Sequence, residues 1–137
     1  MDNYFDLHMT KSEVESISNL GLAHMGDSVF EILVRGWLCS HGKKAVRNLH
    51  REAVRYVCAP AQSTFMEKLE PMLTEEEMTI YRRGRNTHVH GVPKNASPKE
   101  YARATGLEAL FGYLYLTGDK ERLNTLFVSV MEELYGL

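Results

Sequence analysis

Apolar residues along the chain recur at helical spacing. From Leu22 to Cys39 they return every three or four positions, and a similar period continues through residues 45–58 and 120–135. No stretch between turns alternates apolar and polar positions as a half-buried strand does. The pattern therefore predicts the all-α fold class, with a single domain over residues 1–137 built from about six or seven helices.

Helix boundaries are marked by three capping boxes, in which a Ser or Thr is followed three positions later by glutamate: Thr10, Thr74 and Ser97. Pro98, at the first helical position, strengthens the third of these signals. The helix that this box opens is predicted to run through Thr117. Gly42 is expected to close the helix that begins at Leu22, and residues 84–96 are predicted to form a loop.

Length and composition narrow the function classes. The 137 residues contain no apolar run approaching the roughly 18 that a membrane helix needs. The acidic N-terminal sequence MDNYFDLHMTKSEVES is unlike a signal peptide. Two cysteines, Cys39 and Cys58, are too few for a disulfide scaffold. We therefore expect a soluble cytoplasmic protein with free thiols and no membrane partner.

Basic residues are concentrated in two segments, although the formal net charge is only −2. Residues 43–55 and 82–103 carry eleven of the sixteen Lys and Arg but two of the eighteen Asp and Glu. This separation is typical of a protein that holds a polyanion on one surface, although solvated helix faces and a basic loop would give the same count. RRGRN (82–86) combines three arginines and an asparagine with a glycine that permits close approach of a phosphate backbone.

Two acids occur in apolar helical segments, where an ionised carboxylate is costly. Glu108 is the only charged residue of LEALFGYLYL (107–116), which is apolar on nearly every helix face and is therefore predicted to be buried. Asp27 lies in the similarly apolar segment LAHMGDSVFEILV. Such carboxylates are destabilising unless they are paired or bind a metal ion. Two oxygen ligands from separate helices, beside a basic surface, suggest a Mg²⁺ site for phosphodiester hydrolysis.

Structural explanations of the same acids stay open. Asp27 could be the N-cap of a helix that begins at Ser28. Glu108 could be neutral, with a raised pKa, or paired with a buried arginine such as Arg35. Glu31, on the same helix face as Asp27, is better placed for an ordinary i,i+4 pair with Arg35.

Other kinds of site have weaker support. The residues that could form a structural zinc site lack its closely spaced cysteine pairs: Cys39, His41, His50 and Cys58. Glu67, Glu70 and the glutamates at 75–77 suggest half of the carboxylate site of an all-α nucleotide pyrophosphohydrolase, but the second acidic pair is missing. A solvated helix face and a helix N-terminus explain these glutamates better.

The segments LAHMGDSVFEILVR (22–35) and TGLEALFGYLYLTG (105–118) resemble the two acidic motifs of ribonuclease III catalytic domains. Between them lie RRGRN (82–86) and VPKN (92–95), which narrow the resemblance to Mini-III. Mini-III is the ribonuclease III-like family that lacks a double-stranded RNA-binding domain. The likeness covers nearly the whole chain.

The resemblance implies an all-helical homodimer with a ribonuclease III-like catalytic domain. It would cut double-stranded RNA with Mg²⁺ as its cofactor and mature the paired ends of the large-subunit (23S) ribosomal RNA precursor, with a ribosomal protein as a further expected partner. The family's catalytic aspartate falls on Asp27 and its metal-binding glutamate on Glu108, and we expect both to be catalytic and to bind the metal. Thr105 stands where ribonuclease III proper has another acid, so we expect a site with fewer acidic ligands.

Five residues are expected to bind the RNA backbone: Arg82, Arg83, Arg85, Asn86 and Lys94. Recognition should depend mostly on shape, because A-form RNA presents its backbone and 2′-hydroxyls rather than a readable major groove. Two alternative functions remain at this stage. One is a non-catalytic RNA-binding module with a ribonuclease III fold, and the other is a nucleotide pyrophosphohydrolase.

Overall fold

The computed structural model of the protein describes residues 2–41, 46–87, 91 and 94–136. This part of the chain contains seven α-helices and no strand, as the hydrophobic pattern predicts. The helices are α1 (Lys11–Glu15), α2 (Asn19–His41), α3 (Val46–Val57), α4 (Ala59–Leu69), α5 (Glu75–Arg85), α6 (Pro98–Leu116) and α7 (Lys120–Tyr135), with a 3₁₀ turn at Glu70–Met72 between α4 and α5.

Helix α6 is the centre of the molecule. It packs against α2, α4, α5 and α7, and its side chains from Ala104 to Leu116 are buried except for Glu108 and Tyr115, which are half-buried. A helix surrounded by neighbours must be apolar on every face, which explains why its sequence has no polar stripe. The prediction that the segment 107–116 is buried is therefore confirmed.

Four phenylalanines from four helices form the middle of the core. Phe30 of α2 contacts Phe65 of α4 with ring centroids 5.1 Å apart, Phe111 of α6 at 5.6 Å and Phe127 of α7 at 6.0 Å. The pairs with Phe65 and Phe127 are edge-on, an arrangement that aromatic quadrupoles favour. This cluster fixes α2, α4 and α6 relative to one another, and these are the helices that carry the candidate site.

The three predicted capping boxes are all formed, at Thr10, Thr74 and Ser97. Two boundaries differ from the prediction. Helix α2 begins at Asn19 rather than at Leu22. Helix α5 continues to Arg85, so Gly84 belongs to the helix rather than to the loop. The predicted helix end at Gly42 lies outside the described residues.

None of the described helices is both long enough and apolar enough to cross a bilayer. Both cysteines are free thiols, as expected, with Cys39 exposed and Cys58 half-buried.

Candidate functional site: two acids at a helix crossing

Helices α2 and α6 touch through their backbones at two glycines. A Cβ atom on Gly26 would overlap the carbonyl oxygen of Glu108, and a Cβ atom on Gly112 would overlap the carbonyl oxygen of Leu22. Any side chain at either position would push the helices apart. The sequence places Asp27 directly after Gly26, so the close crossing brings Asp27 to the helix that carries Glu108.

Asp27 lies in the interior of α2 and is exposed to solvent. Because α2 begins at Asn19, the alternative that Asp27 caps a helix starting at Ser28 is wrong. Its exposure also differs from the expectation of an acid embedded in an apolar helix: Val29 and Phe30 face the core, while Asp27 points away from it.

Glu108 is half-buried in α6, between the buried residues Leu107 and Ala109. Among the residues that the structure describes, no arginine pairs with it. Arg35 instead donates from Nη2 to Glu31 Oε1 at 3.0 Å on the surface of α2. The i,i+4 pair between Glu31 and Arg35 is therefore confirmed, and the alternative that Arg35 neutralises Glu108 is wrong.

The carboxyl groups of Glu108 and Asp27 are neighbours. Burial, which has the largest effect, together with hydrogen bonding to Asp27 and the negative charge of Asp27, raises the pKa of Glu108 to about 8, although the hydrogen bond from Gln62 acts in the opposite direction. Without a cation, Glu108 is therefore protonated at neutral pH and can donate a hydrogen bond to Asp27. The alternative that Glu108 is neutral with a raised pKa thus describes the metal-free protein.

A divalent cation would stabilise the ionised forms of both acids together. Carboxylate oxygens are the ligands that Mg²⁺ prefers, and one or two of them suffice when water and a substrate phosphate complete the coordination. Within residues 2–41, 46–87, 91 and 94–136, no group of three His, Cys, Asp or Glu side chains is close enough to hold a metal. The donor set therefore fits Mg²⁺ that keeps most of its water.

Thr105, one turn before Glu108, does not contribute a ligand. Its side chain is buried, and its hydroxyl donates to the carbonyl oxygen of Tyr101 at 2.9 Å within α6. The expectation of fewer acidic ligands than in ribonuclease III proper stays a prediction.

Gln62 of α4 is the polar residue at the site that the sequence reasoning missed. Its side chain is 2% exposed, and its Nε2 lies 3.5 Å from Glu108 Oε2. A signal was present, because Gln62, Phe65, Met66 and Leu69 have the i, i+3, i+4, i+7 spacing of one buried helix face. A glutamine on that face needs a polar partner in the core.

The RRGRN segment forms the end of α5 and the residue that follows it. Gly84 is buried, and a Cβ atom there would lie 2.7 Å from the Cβ of Ala109 and 3.0 Å from the Cα of Gly106 in α6. The interpretation that this glycine admits a phosphate backbone is therefore wrong. Its role is to let α5 pack closely against α6.

The arginines of this segment differ in their exposure and in their partners. Arg82 and Arg83 are exposed, and neither forms an ion pair with any residue that the structure describes. Arg85 is half-buried, with its guanidinium 5.5 Å from the ring centroid of Tyr81 and its Nε donating to Asn86 Oδ1 at 3.1 Å. Lys94 is exposed in the turn before α6.

The glutamates that suggested a pyrophosphohydrolase do not form a site. Glu67, Glu70, Glu75 and Glu76 are exposed. Glu77, by contrast, is 6% exposed and binds Arg122 in a bidentate pair, with both N–O distances at 2.9 Å. The interpretation of Glu77 as part of a helix N-terminus is confirmed by the capping box with Thr74, and its burial beside Arg122 was not predicted.

Comparison with protein families gives a consistent result. The Ribonuclease III domain model matches residues 20–119, which include both helices of the acidic pair. The chain is 52% identical over 105 residues to the Mini-ribonuclease 3 of Symbiobacterium thermophilum, covering 77% of this chain and 81% of that protein. It is 45% identical over 116 residues to the Mini-ribonuclease 3 of Enterococcus faecalis, covering 83% and 88%.

A more distant relative aligns over nearly the full length. The Mini-ribonuclease 3 of Staphylococcus aureus is 35% identical over 133 residues, with 96% of each chain covered. Among solved structures, the fold is similar to the crystal structure of a protein from Fusobacterium nucleatum, with a TM-score of 0.77 and 29% identity over 85% of this chain and 90% of that one.

Proposed function

The chain belongs to the Mini-ribonuclease 3 family of ribonuclease III-type endoribonucleases, and from this premise we propose that it cleaves double-stranded RNA with Mg²⁺ bound between Asp27 and Glu108. The observation that carries the proposal is the contact between these two carboxyl groups from α2 and α6. Two neighbouring acids whose ionised forms would repel one another are the arrangement that a divalent ion stabilises.

The two acids have different surroundings and therefore different parts in the mechanism. Glu108 is held within the helix packing and presents its carboxylate from the core side, while the exposed Asp27 lies on the side where a phosphate can approach. Mg²⁺ bound there would activate a water and offset the charge that develops on the scissile phosphate. The family pattern implies products with a 5′-phosphate and a 3′-hydroxyl.

The test of this assignment is Asp27→Asn. The amide retains the size of the carboxylate but removes its charge, so we expect cleavage of long double-stranded RNA to be lost while RNA binding persists. Wild-type protein assayed with and without Mg²⁺, on RNA and separately on nucleoside triphosphates, supplies the control. Full activity of the Asp27→Asn protein would refute the assignment, and RNA binding without cleavage by the wild type would favour the non-catalytic RNA-binding module.

We also propose that Arg82, Arg83, Arg85, Asn86 and Lys94 bind the RNA backbone. The exposed Arg82 and Arg83 support this most directly, because their guanidinium groups are available to phosphate. Arg51 and Arg55 of the other basic segment are also exposed on α3, where Arg55 Nη1 lies 3.2 Å from Glu52 Oε1. Arg85 can reach a phosphate only if its guanidinium leaves the ring of Tyr81 or contacts ring and phosphate together. We therefore expect it to contribute less to RNA binding.

Replacing Arg83 and Arg85 together by alanine should weaken RNA binding and flatten its salt dependence. Each lost phosphate contact lowers the slope of log K against log salt by about 0.9. Binding titrations of a fixed RNA duplex at several salt concentrations measure this slope. If the slope of the double variant equals that of the wild type, these two residues lie outside the contact surface.

The biological substrate that we propose is the large-subunit (23S) ribosomal RNA precursor, cut at its paired ends in the cytoplasm by a homodimer whose two sites act on opposite strands. The resemblance to Mini-III supports the substrate and the assembly, and a ribosomal protein is the further partner that it implies. Digestion of precursor RNA with mapped ends tests the substrate. Sedimentation of the protein at several concentrations tests the homodimer.

A further inference from the structure

Gln62 has a position that core packing alone does not require. Its side chain is 2% exposed on the face of α4 that enters the core, among the buried residues Phe65 and Met66. A hydrocarbon side chain of the same length would fill this space without having to bury a polar amide. The amide instead faces the acidic pair, with Nε2 3.5 Å from Glu108 Oε2.

We propose that Gln62 is a positioning residue for the cleavage reaction, whose amide N–H holds one oxygen of Glu108 and so orients that carboxylate toward a bound cation. The inference rests on the proposed function and adds a third helix, α4, to the site. Groups that hydrogen-bond a metal-binding carboxylate fix its direction, and removing such a group typically costs about 10- to 100-fold in metal affinity or activity.

The surroundings of Gln62 make it suited to this task. Helix α4 is anchored by Phe65, Met66 and Leu69, which are all buried, so the amide cannot swing away from Glu108. A hydrogen bond to an ionised acceptor is stronger and shorter than one to a neutral acceptor, so this contact gains strength in the state that binds a cation.

The test compares Gln62→Met with the wild type. Methionine nearly matches the volume of glutamine but donates no hydrogen bond. In the absence of RNA, we expect the Mg²⁺ concentration that gives half of the maximal rise in melting temperature to increase about 10-fold. In cleavage assays at limiting Mg²⁺, kcat should fall by a similar factor while KM for RNA stays unchanged, because Gln62 orients a carboxylate and does not bind the substrate.

Ser63→Ala on the same helix is the matched control, since Ser63 is also buried but makes no hydrogen bond to Glu108. A structural role alone would lower the melting temperature in EDTA for Gln62→Met without changing the Mg²⁺ dependence, and that result would overturn the proposal. Cleavage by the wild type distinguishes failure of the role of Gln62 from failure of the proposed function. A wild type that cleaves RNA, with an unaffected Gln62→Met protein, refutes only the role of Gln62, whereas an inactive wild type refutes the proposed function.

Discussion

The protein buries acids in two places, in α5 and in α6, and the surroundings shift the pKa values of these two acids in opposite directions. At the start of α5, Glu77 accepts two hydrogen bonds from Arg122 and one from the backbone of Thr74, so it is fully partnered. Burial raises its pKa, but Arg122 and Thr74 outweigh burial and the pKa is lowered overall. In α6, Glu108 has another acid as its neighbour, and its pKa rises to about 8.

The difference is the one expected between a structural acid and a metal-binding acid. The fold satisfies Glu77 completely from within the chain, including a hydrogen bond at 2.8 Å from Arg122 Nη2 to the carbonyl oxygen of Met72. At Glu108 the surroundings comprise one amide and one neighbouring carboxyl, which supply no positive charge for the ionised form of Glu108. A perturbed acid of this kind is a mark of a site whose partner comes from outside the chain.

Glu108→Gln is the most direct test of the proposed metal-binding acid in this comparison. We expect it to lower the cleavage rate by at least about 1000-fold, because a metal ion at such a site contributes several kcal/mol to the stabilisation of the transition state. Single-turnover cleavage of double-stranded RNA at saturating Mg²⁺ measures the loss. Rates within tenfold of wild type would remove Glu108 from the metal site.

Arg122→Met tests the structural acid of this comparison, Glu77. It leaves Glu77 buried without its counter-charge, so the free energy of unfolding should fall by about 3 kcal/mol, while kcat of the protein that remains folded stays at the wild-type value. Urea denaturation followed by circular dichroism measures the change. Adding Glu77→Gln, which retains the capping box, should restore most of the loss, and failure of that rescue would argue against an ion-pair explanation.

The pH dependence of stability sharpens the comparison because the two acids act with opposite sign. In the metal-free protein Glu108 has a folded-state pKa of about 8, above its ordinary value, so the folded state binds more protons than the unfolded state across that interval. Stability should therefore fall as pH rises, by about 2 kcal/mol between pH 6 and 8. The stabilising contribution of Glu77, whose pKa is lowered, is present above its ordinary pKa and is lost only as the pH falls through its folded-state value.

Thermal or urea unfolding in EDTA at several pH values measures this slope. Glu108→Gln should flatten it and should make the metal-free protein more stable than the wild type at pH 8. Saturating Mg²⁺ should also flatten the slope in the wild type. An unchanged slope in Glu108→Gln would show that Glu108 does not titrate in this range.

The sequence predicts most of the fold because its helices are signalled locally. The three capping boxes and the apolar run of α6 need no knowledge of the rest of the chain, and the structure agrees with them. Glu108 was identifiable for the same reason, since a lone charge in an apolar helix is anomalous wherever the neighbouring helices lie.

Features that depend on what lies across a helix interface were harder to predict. A glycine at position 84 serves equally well for contact with phosphate or with a helix, and only the packing against α6 decides between them. Glu77 has the sequence signature of an exposed helix start, and Arg122, which buries it, is 45 positions away. Gln62 carries no charge, so its presence on an apolar face gives a weaker signal than an acid would.

The close crossing of α2 and α6 also determines the stage of folding at which the acidic pair forms. Asp27 and Glu108 are 81 positions apart in the chain, and they meet only after two backbones have docked without intervening side chains. Closing so long a loop is entropically costly and belongs to the later stages of folding. A nascent or partly unfolded polypeptide in which α2 and α6 have not yet docked therefore lacks the paired acids.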